Sequence, residues 1–402
     1  MSLLAVLSTA LLAPMLAIAL WNLALATRLE RAGAPHRLPR VSVLVPARNE
    51  AENLKTTLPA LLRLEYPDLE ILVLDDGSED DSATVVAARR AGFEETLRLL
   101  AGRPLPQGWM GKCWGCHQLA EAASGEVLIF CDADVTPRPG ALLATVAAME
   151  RGGAGVLTAL PRQRLRGWVE SAVVPLVAQL PVLAMLPLPL VPRLPMPALS
   201  MANGQWLAFT RTAYRACGGH VAVRGAVIED VALARRAKAC GQRLLPVVST
   251  TLLEVRMYRD ASSLREGFEK NLFALMGSRP LPFVAILLGI LLVTVYPWVG
   301  WAAGTAGAAI PLALLVGVRG CGAVLFRHPL RAVLLHPLGS LLLPVLALSS
   351  YLGALRGTLR WKGRHLGKVS RPTSPLATNE EKVVSPPGRS APSTSGLGDG
   401  LG

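Results

Sequence analysis

Two carboxylates spaced one residue apart follow a wholly apolar run of the chain. Residues 127–131 read as a buried strand, and Asp132 and Asp134 come directly after it. Carboxylate oxygens suit hard divalent cations, and such a cation can hold a diphosphate. An isolated Asp-x-Asp is more often a solvated turn, because Asp is a common turn residue. The neighbouring motifs must therefore decide whether this pair binds a metal.

Polar residues follow two earlier apolar runs in the same way. Residues 41–46 precede Arg48, and residues 69–74 precede Asp75 and Asp76, with helical patterns between the runs. Short, wholly apolar runs are typical of strands buried on both faces of a parallel sheet. Ligands of an open α/β sheet lie outside the carboxyl ends of its strands. We therefore expect the polar residues after all three runs to line one crevice.

Taken in order, these motifs resemble the inverting family 2 glycosyltransferases, from about Val41 to about Gly277. The Val-Pro-Ala-Arg-Asn-Glu opening and the Asp-Asp-Gly-Ser turn are similar to the nucleoside pocket of that family, and Asp-x-Asp to its metal-binding pair. The resemblance implies an α/β domain of the GT-A fold, a nucleotide-sugar donor with UDP favoured, and Mg²⁺ or Mn²⁺ held by Asp132 and Asp134. The donor-binding residues that it implies are Pro46, Arg48, Glu50, Asp75, Asp76, Lys112 and Asp132.

A second acid pair, Glu229 and Asp230, resembles the pair that supplies the catalytic base in this family. Inversion at a sugar carbon needs one in-line displacement, so a single base on the opposite face must take the acceptor's proton. We assign Asp230 as the base, with Glu229 as the alternative. Acids also suit the first turn of a helix, and a helical pattern over 231–240 follows directly.

The resemblance also covers the acceptor side, with Gly204, Gln205 and Trp206 followed by the Gly-Gly-His run at 218–220. Processive synthases carry Gln-x-x-Arg-Trp after the base, whereas this chain has Lys270 and Asn271 in the corresponding region. The departure disfavours a polysaccharide synthase and makes these two residues substitutes for the missing contacts.

The Gly-Trp-Met-Gly-Lys run at 108–112 is similar to membrane-bound enzymes that glycosylate carotenoid acids, hopanoids or ceramides. It is followed by Cys113-x-x-Cys116-His117, which matches dithiol and haem-attachment patterns. The context favours ordinary cysteines on a helix face over redox chemistry. The remaining cysteines are scattered, which fits reduced thiols in a cytoplasmic domain.

An apolar N-terminal stretch predicts a membrane anchor over residues 1–27. It is almost uncharged, long enough to cross a bilayer, and longer than the apolar core of a signal peptide. Four arginines against one glutamate follow it, so the positive-inside rule predicts a cytoplasmic domain over 41–277. The expected location is the cell membrane, with several crossings. The four arginines are Arg28, Arg31, Arg37 and Arg40.

A second apolar region covers residues 281–355, in three stretches. Three crossings would leave the basic residues from Arg356 to Arg364 outside, against the charge rule. We therefore expect two full crossings and a cytoplasmic tail, with the middle stretch, which contains Arg319, re-entrant or interfacial. Within the catalytic domain, residues 172–199 hold seven prolines and one charge. We expect this segment to form an interfacial flap beside the active site, with a buried loop as the alternative.

Composition limits the remaining possibilities. The chain has 402 residues, of which 51% are hydrophobic, and a formal net charge of +13. The basic residues are spread over membrane flanks without a nucleic-acid-binding motif, so anionic lipids and a diphosphate donor explain the charge. Residues 370–402 are rich in Ser, Pro, Gly and Thr, which predicts a disordered tail.

These observations favour a membrane-anchored enzyme that transfers sugar from a nucleotide-sugar to a hydrophobic lipid by a metal-assisted inverting displacement. A polyprenyl-phosphate glycosyltransferase is a second enzyme hypothesis. A catalytically silent scaffold or transport component is the alternative from another class. The intact Asp132, Asp134 and Asp230 disfavour it.

Overall fold

The computed structural model describes residues 1–365, so the predicted tail at 370–402 lies outside the described residues. Its centre is an eight-stranded mixed sheet, in the order β3-β2-β1-β4-β7-β6-β8-β5. The strands are β1 (Val41–Ala47), β2 (Leu69–Asp75), β3 (Leu97–Ala101), β4 (Val127–Cys131), β5 (Val135–Pro137), β6 (Val156–Gln163), β7 (Trp206–Thr210) and β8 (Leu244–Val255).

The three apolar runs predicted as parallel strands are neighbours in this sheet. Strand β1 pairs in parallel with β2 on one side and with β4 on the other. Ala47 is opposite Asp75, so the first two strands end at the same level. Strand β7 then joins β4 and β6 in antiparallel pairing. The predicted α/β fold is confirmed, and the polar strand exits lie at one edge.

Helices cover both faces of the sheet and bury its alternating side chains. Val43 and Val45 of β1 belong to one apolar core, and Leu44 belongs to the core on the opposite face. The helices between residues 51 and 275 are α2 (Ala51–Leu62), α3 (Ser82–Arg90), α4 (Gly111–Ala122), α5 (Ala141–Gly152), α6 (Trp168–Ala178), α7 (Leu180–Met185), α8 (Arg211–Ala216), α9 (Glu229–Ala239) and α10 (Ala261–Leu275).

Long apolar helices stand at both ends of the described chain. They are α1 (Leu3–Leu25), α11 (Pro280–Ile290), which continues through a π-helical turn into α12 (Tyr296–Ala302), α13 (Ala309–Phe326), the short α14 (Leu330–Leu334) and α15 (His336–Arg356). Within residues 1–365, five helical segments are long and apolar enough to cross a membrane: Leu3–Leu25, Trp168–Met185, Pro280–Ala302, Ala309–Phe326 and His336–Arg356.

The middle C-terminal stretch forms one continuous helix, α13, of 18 residues. Its length and hydropathy are those of a crossing helix, as are those of its two neighbours. Arg319 is buried on α13, where its guanidinium donates to the carbonyl of Ala332 at 2.8 Å and contacts Nδ1 of His328 at 2.7 Å. The arginine is thus satisfied inside the protein, and it does not interrupt the helix. The number of crossings stays a prediction.

The proline-rich segment 172–199 is more regular and more buried than the sequence indicated. Its first half lies in α6 and α7, which break at Gln179, and 67% of the apolar window over Trp168–Met185 is buried by the rest of the protein. Pro181 stands in the first turn of α7, where a missing N–H costs no helical hydrogen bond. The first half is therefore helical and packed where we expected a flap, and residues 186–196 are turns and loop before a 3₁₀ turn over Pro197–Leu199. The interfacial position of the segment stays a prediction.

A short hairpin follows the last apolar helix. Its strands are β9 (Arg360–Trp361) and β10 (Arg364–His365), and they pair in antiparallel fashion. The hairpin lies against α10, where Lys362 N–H donates to Glu266 Oε1 at 3.0 Å. It returns the chain to the catalytic domain after α15.

Candidate active site

The loops after β1 and β2 are held together by Arg48. Its guanidinium donates to the carbonyl oxygens of Asp76 at 2.6 Å and Gly77 at 2.7 Å. The Nε atom donates to the carbonyl oxygen of Lys362 at 3.2 Å. Its remaining nitrogen, Nη2, donates to Glu79 Oε1 at 3.2 Å. Arg48 is therefore a positioning residue that shapes this loop pair. The donor contact that we predicted for Arg48 stays a prediction.

The donor-side carboxylates around Arg48 differ in their surroundings. Asp75 accepts weakly from Ser78 N–H at 3.3 Å, and therefore mainly caps the turn. Glu50 accepts from Asn53 Nδ2 at 2.7 Å. Pro46 is the last but one residue of β1, next to the crevice. Glu50 and Asp76 are each ion-paired, with Lys362 and Arg364 respectively.

Asp132 and Asp134 stand where β4 ends, as predicted. Oδ1 of Asp134 is buried and has no hydrogen-bond partner among residues 1–365. Burial, reinforced by the charges of Asp132 and Glu50, raises the pKa of Asp134 to about 7. An orphaned carboxylate oxygen beside a second carboxylate fits a hard divalent cation. Mg²⁺ commonly takes one or two protein carboxylates and completes its shell with waters and substrate phosphates.

Lys112 links the metal-binding pair to the second acid pair. From the first turn of α4, its Nζ lies 2.7 Å from Asp132 Oδ1 and 3.0 Å from Glu229 Oε1. Burial opposes the charge of Lys112, but these carboxylates outweigh it and hold its pKa well above the usual value. Burial likewise opposes the charge of Glu229, yet Lys112 and Lys270 hold the Glu229 pKa below its usual value. Lys112 is therefore a bridge between two carboxylates.

Asp230 occupies the first turn of α9, with both carboxylate oxygens held by backbone donors. Gly204 N–H donates to Oδ2 at 2.6 Å, and Val231 N–H donates to Oδ1 at 2.8 Å. Burial, with repulsion from Glu229, raises the pKa of Asp230 to about 6. A Cβ at Gly204 would lie 3.1 Å from Lys112 Nζ and 3.2 Å from Asp230 Oδ2. A side chain at this position would therefore push the Lys112 ammonium or the Asp230 carboxylate back by a few tenths of an ångström.

A cavity of about 130 Å³ reaches Asp230. Apolar side chains of β6, α6, α7, α10 and the loop after α7 form most of its wall. They include Leu160, Val182, Leu188, Phe268 and Leu275. Its polar groups come from Thr158, Asn203, Gln205, Asp230 and Asn271. The cavity thus joins an ionisable carboxylate to an apolar channel, and two predicted acceptor-side residues, Gln205 and Asn271, line it.

Two other acceptor-side assignments are wrong. Trp206 is fully buried, and its indole Nε1 donates to Thr145 Oγ1 at 3.1 Å in the core behind the sheet. His220 is buried against Phe130 and pairs with the Tyr214 hydroxyl at 2.8 Å. Burial lowers the pKa of His220 to about 3, so the ring is neutral. Both residues support the fold and do not face the cavity.

Lys270 does not line the cavity, but it lies close enough to Glu229 to lower the pKa of that carboxyl and also contacts the C-terminal hairpin. Its Nζ lies 4.7 Å from the ring centroid of Trp361. Lys362 pairs with Glu50, and Arg364 pairs with Asp76, whose Oδ1 lies 3.2 Å from Arg364 Nη2. Sequence reasoning missed Lys362 and Arg364 as site residues. The basic run after the last apolar helix was the available signal, but it read as a membrane flank.

The two cysteines of the Cys-x-x-Cys motif lie inside α4 and are buried thiols without a disulfide. Burial raises the pKa of Cys113 and of Cys116 well above the usual value. A nucleophilic or redox-active cysteine needs the opposite shift. The motif therefore packs α4 against the sheet.

Residues 42–176 match the family model "Glycosyl transferase family 2". The chain is 33% identical over 124 residues to the probable glycosyltransferase YdaM of Bacillus subtilis (strain 168), covering 30% of this chain and 29% of that protein. It is 27% identical over 259 residues to 4,4'-diaponeurosporenoate glycosyltransferase of Staphylococcus aureus (strain MRSA252), covering 62% of this chain and 65% of that protein. The chain thus spans less than two thirds of each of these two curated relatives.

Among solved structures, the fold is similar to mannosyltransferase PcManGT from Pyrobaculum calidifontis, determined in complex with GDP-Man and Mn²⁺. The TM-score is 0.50 at 19% identity, and the alignment covers 88% of this chain and 99% of that one. At this identity the likeness concerns the fold. The family match therefore assigns a family 2 glycosyltransferase domain to residues 42–176, and the likeness to the solved structure assigns a GT-A fold to the chain.

Proposed function

We propose that the protein transfers a sugar from a nucleotide-sugar to a hydrophobic lipid with inversion at the anomeric carbon. The apolar cavity that reaches Asp230 carries this proposal. It is smaller than the roughly 300–1,000 Å³ of pockets that enclose a whole drug-sized ligand. It therefore suits the part of a lipid next to the reacting hydroxyl, with the remainder in the bilayer.

Proton removal from the acceptor takes place at Asp230, and departure of the diphosphate takes place at Asp132 and Asp134, with Lys112 between the two. Asp230 takes the proton of the acceptor hydroxyl as its oxygen bonds to the anomeric carbon, while the bond from that carbon to the diphosphate breaks. The backbone N–H groups of Gly204 and Val231 fix the carboxylate and leave lone pairs for the proton. With a pKa of about 6, Asp230 is mostly ionised at neutral pH, as a base must be.

Asp132 and Asp134 are the residues that would hold the divalent cation, with Mg²⁺ and Mn²⁺ as candidates. When bound, the cation offsets the negative charge that builds on the departing nucleoside diphosphate. The orphaned Asp134 oxygen supports this assignment. Asp132 keeps its ion pair with Lys112, and this pair fixes the donor side of the site relative to the acceptor side.

The decisive experiment incubates the purified full chain with a panel of UDP- and GDP-sugars, Mn²⁺ or Mg²⁺, and native lipid extract. We expect a glycolipid whose mass exceeds that of one lipid by one sugar residue. An acid-labile sugar phosphate as product would instead identify a polyprenyl-phosphate glycosyltransferase. No product and no nucleotide release with any donor would favour the scaffold alternative.

Filling the cavity should impair binding of the lipid acceptor without impairing binding of the donor. Ala178 lines the cavity, so Ala178→Phe should raise the KM for the lipid acceptor about tenfold or more, since a ring would occupy the channel. The KM for the donor should stay within twofold. Initial rates with each substrate varied in turn provide the measurement.

Ala88→Phe is the matched control for this change, because Ala88 is exposed on α3 and lies outside the cavity. It should leave both KM values unchanged. An unaltered acceptor KM in a folded Ala178→Phe protein would mean that the acceptor does not use this cavity.

The C-terminal hairpin supports a role for two further cations in donor binding. Lys362 and Arg364 lie beside Glu50 and Asp76, at the mouth of the nucleotide side of the site. Guanidinium and ammonium groups bind phosphate by charge-assisted hydrogen bonds. We expect Lys362→Gln combined with Arg364→Gln to raise the donor KM about tenfold, with a smaller change in kcat, as measured by steady-state kinetics.

Lys55→Gln combined with Arg265→Gln removes the same two residue types from exposed positions and should change neither constant. Tighter donor binding in the hairpin variant would show that the hairpin blocks the pocket instead of completing it.

The hairpin also bears on the membrane topology that we propose. Residues 360–365 lie on the catalytic domain, so the chain must return to its side of the membrane after α15. An even number of crossings between residues 277 and 357 meets this condition. Together with the arginines after α1, this supports a multi-pass protein of the cell membrane with a cytoplasmic catalytic domain.

A further inference from the structure

A second pocket, of about 380 Å³, is strongly basic. Six arginines and one glutamate line it, which leaves a formal charge of +5. It shares no lining residue with the cavity at Asp230. The arginines are Arg138, Arg162, Arg164, Arg166, Arg327 and Arg331.

A single carboxylate serves three of these arginines. Glu254, on β8, lies 3.3 Å from Arg138, 3.5 Å from Arg162 and 3.9 Å from Arg164. One negative charge cannot neutralise three guanidinium groups, so the pocket keeps a positive potential. Like charges gathered in a concave surface favour the entry of an anion.

The other arginines come from the two sides of the pocket. Arg331 donates to Ser171 Oγ at 3.2 Å and to the carbonyl of Leu165, which fixes α14 against α6. Arg166 and Arg327 are exposed, and the guanidinium group of neither forms an ion pair within 4.0 Å among residues 1–365; only the backbone N–H of Arg166 contacts a carboxylate, that of Glu170. Their guanidinium groups are available to a ligand.

The position of the pocket indicates where that ligand comes from. Arg327 is the residue that ends α13, and Pro329 follows two residues later. Helix α13 is apolar and long enough to cross a bilayer, so its basic end belongs at the level of the lipid headgroups. The catalytic sheet supplies the opposite wall through β6, β8 and Arg138, which directly follows β5.

We propose that this pocket binds a phosphate group, carried by the headgroup of an anionic membrane lipid. Arginine pairs with phosphate through two parallel hydrogen bonds, and several arginines can share one phosphodiester. A lipid bound there would fasten the catalytic sheet to the membrane surface beside α13. The proposal depends on the membrane position of α13 and not on which sugar or acceptor the enzyme uses.

The experiment uses the full chain purified in detergent and native mass spectrometry. Phosphatidylglycerol and phosphatidylcholine are added at equal concentrations, and the lipid that stays bound is identified. We expect selective retention of phosphatidylglycerol by the unchanged protein. Arg166→Gln combined with Arg327→Gln should weaken this binding about 30-fold. Each basic residue near an anionic lipid surface contributes about 1 kcal/mol to binding, and the variant loses two of them.

Arg89→Gln combined with Arg90→Gln is the matched control, since both arginines are exposed on α3 and outside the pocket. It removes the same charge and should retain the lipid. Thermal unfolding and donor binding of both variants show whether the fold and the active site survive. Equal lipid loss from the pocket and control variants would overturn the proposal.

A titration with inorganic phosphate separates the two sources of the anion. Competition only at concentrations far above that of phosphatidylglycerol would support the lipid. Saturable binding of inorganic phosphate without any preference between the two lipids would overturn the assignment to a membrane lipid.

Discussion

Replacing Asp230 by asparagine should lower kcat by roughly 10²- to 10⁴-fold, the range usual for a general base. Asparagine keeps the size of the side chain and can still accept from Gly204 N–H, but it cannot take a proton from the acceptor. The dissociation constant of the donor should change little, because Asp230 lies on the acceptor side of Lys112. Single-turnover rates and donor titrations on the same preparations measure the two effects.

Glu229→Gln provides the comparison for this change. Glu229 pairs with Lys112 at 3.0 Å, so its loss disturbs the bridge to Asp132. We expect a rise of roughly tenfold in donor KM and a smaller fall in kcat than for Asp230→Asn. If Glu229→Gln has the lower kcat, or if Asp230→Asn keeps near-normal turnover, the base has been misassigned.

Asp134→Asn should abolish donor binding that depends on a divalent cation. In the unchanged protein, Mn²⁺ should tighten the binding of UDP or GDP at least tenfold, and chelation should reverse this gain. The variant should bind the nucleotide equally weakly with Mn²⁺ and with chelator, since it lacks the charge that the orphaned Oδ1 carries. Calorimetric titrations with both nucleotides provide the measurement.

The same substitution should not unfold the protein. Burial and nearby negative charges raise the pKa of Asp134 in the ligand-free protein, so ionising the carboxyl disfavours the fold and asparagine relieves it. The melting temperature should therefore stay the same or rise. Asp68→Asn, at an exposed loop carboxylate, is the control and should leave metal-dependent binding intact. Metal-dependent binding that survives Asp134→Asn would remove this residue from the metal site.

Local sequence patterns were sufficient to predict the strands on the donor side of the sheet. The runs at 41–46, 69–74 and 127–131 are almost wholly apolar, with only Ser42 and Glu70 polar, and each becomes a strand buried on both faces. Their order along the chain, with helices between them, leaves few ways to arrange a parallel sheet. Polar residues at their carboxyl ends then had to meet, and Asp76 and Asp132 do lie at one edge.

Strand alternation contained a signal that the motif-based assignment overlooked. Successive side chains of a strand face opposite sides, so Gln205 and Trp206 cannot both reach one cavity. Gln205 lines the cavity, and Trp206 lies in the core. By contrast, no local pattern pairs Lys362 with Glu50, because 312 positions separate them. The helices α6 and α7 were also unexpected, because their prolines argue against regular helices. They form because burial by neighbouring helices compensates for the prolines.

The hairpin at Arg360–His365 makes the order of synthesis matter for the finished enzyme. Glu50 and Asp76 leave the ribosome early, whereas Lys362 and Arg364 follow only after every apolar helix of the described chain. The sheet can therefore fold while translation continues, but Glu50 and Asp76 gain these partners only after the last helix has been made. On the membrane topology that we propose, a chain that stalls or inserts wrongly would keep the two carboxylates without their cationic partners. Completion of the proposed donor site would then be linked to successful membrane insertion.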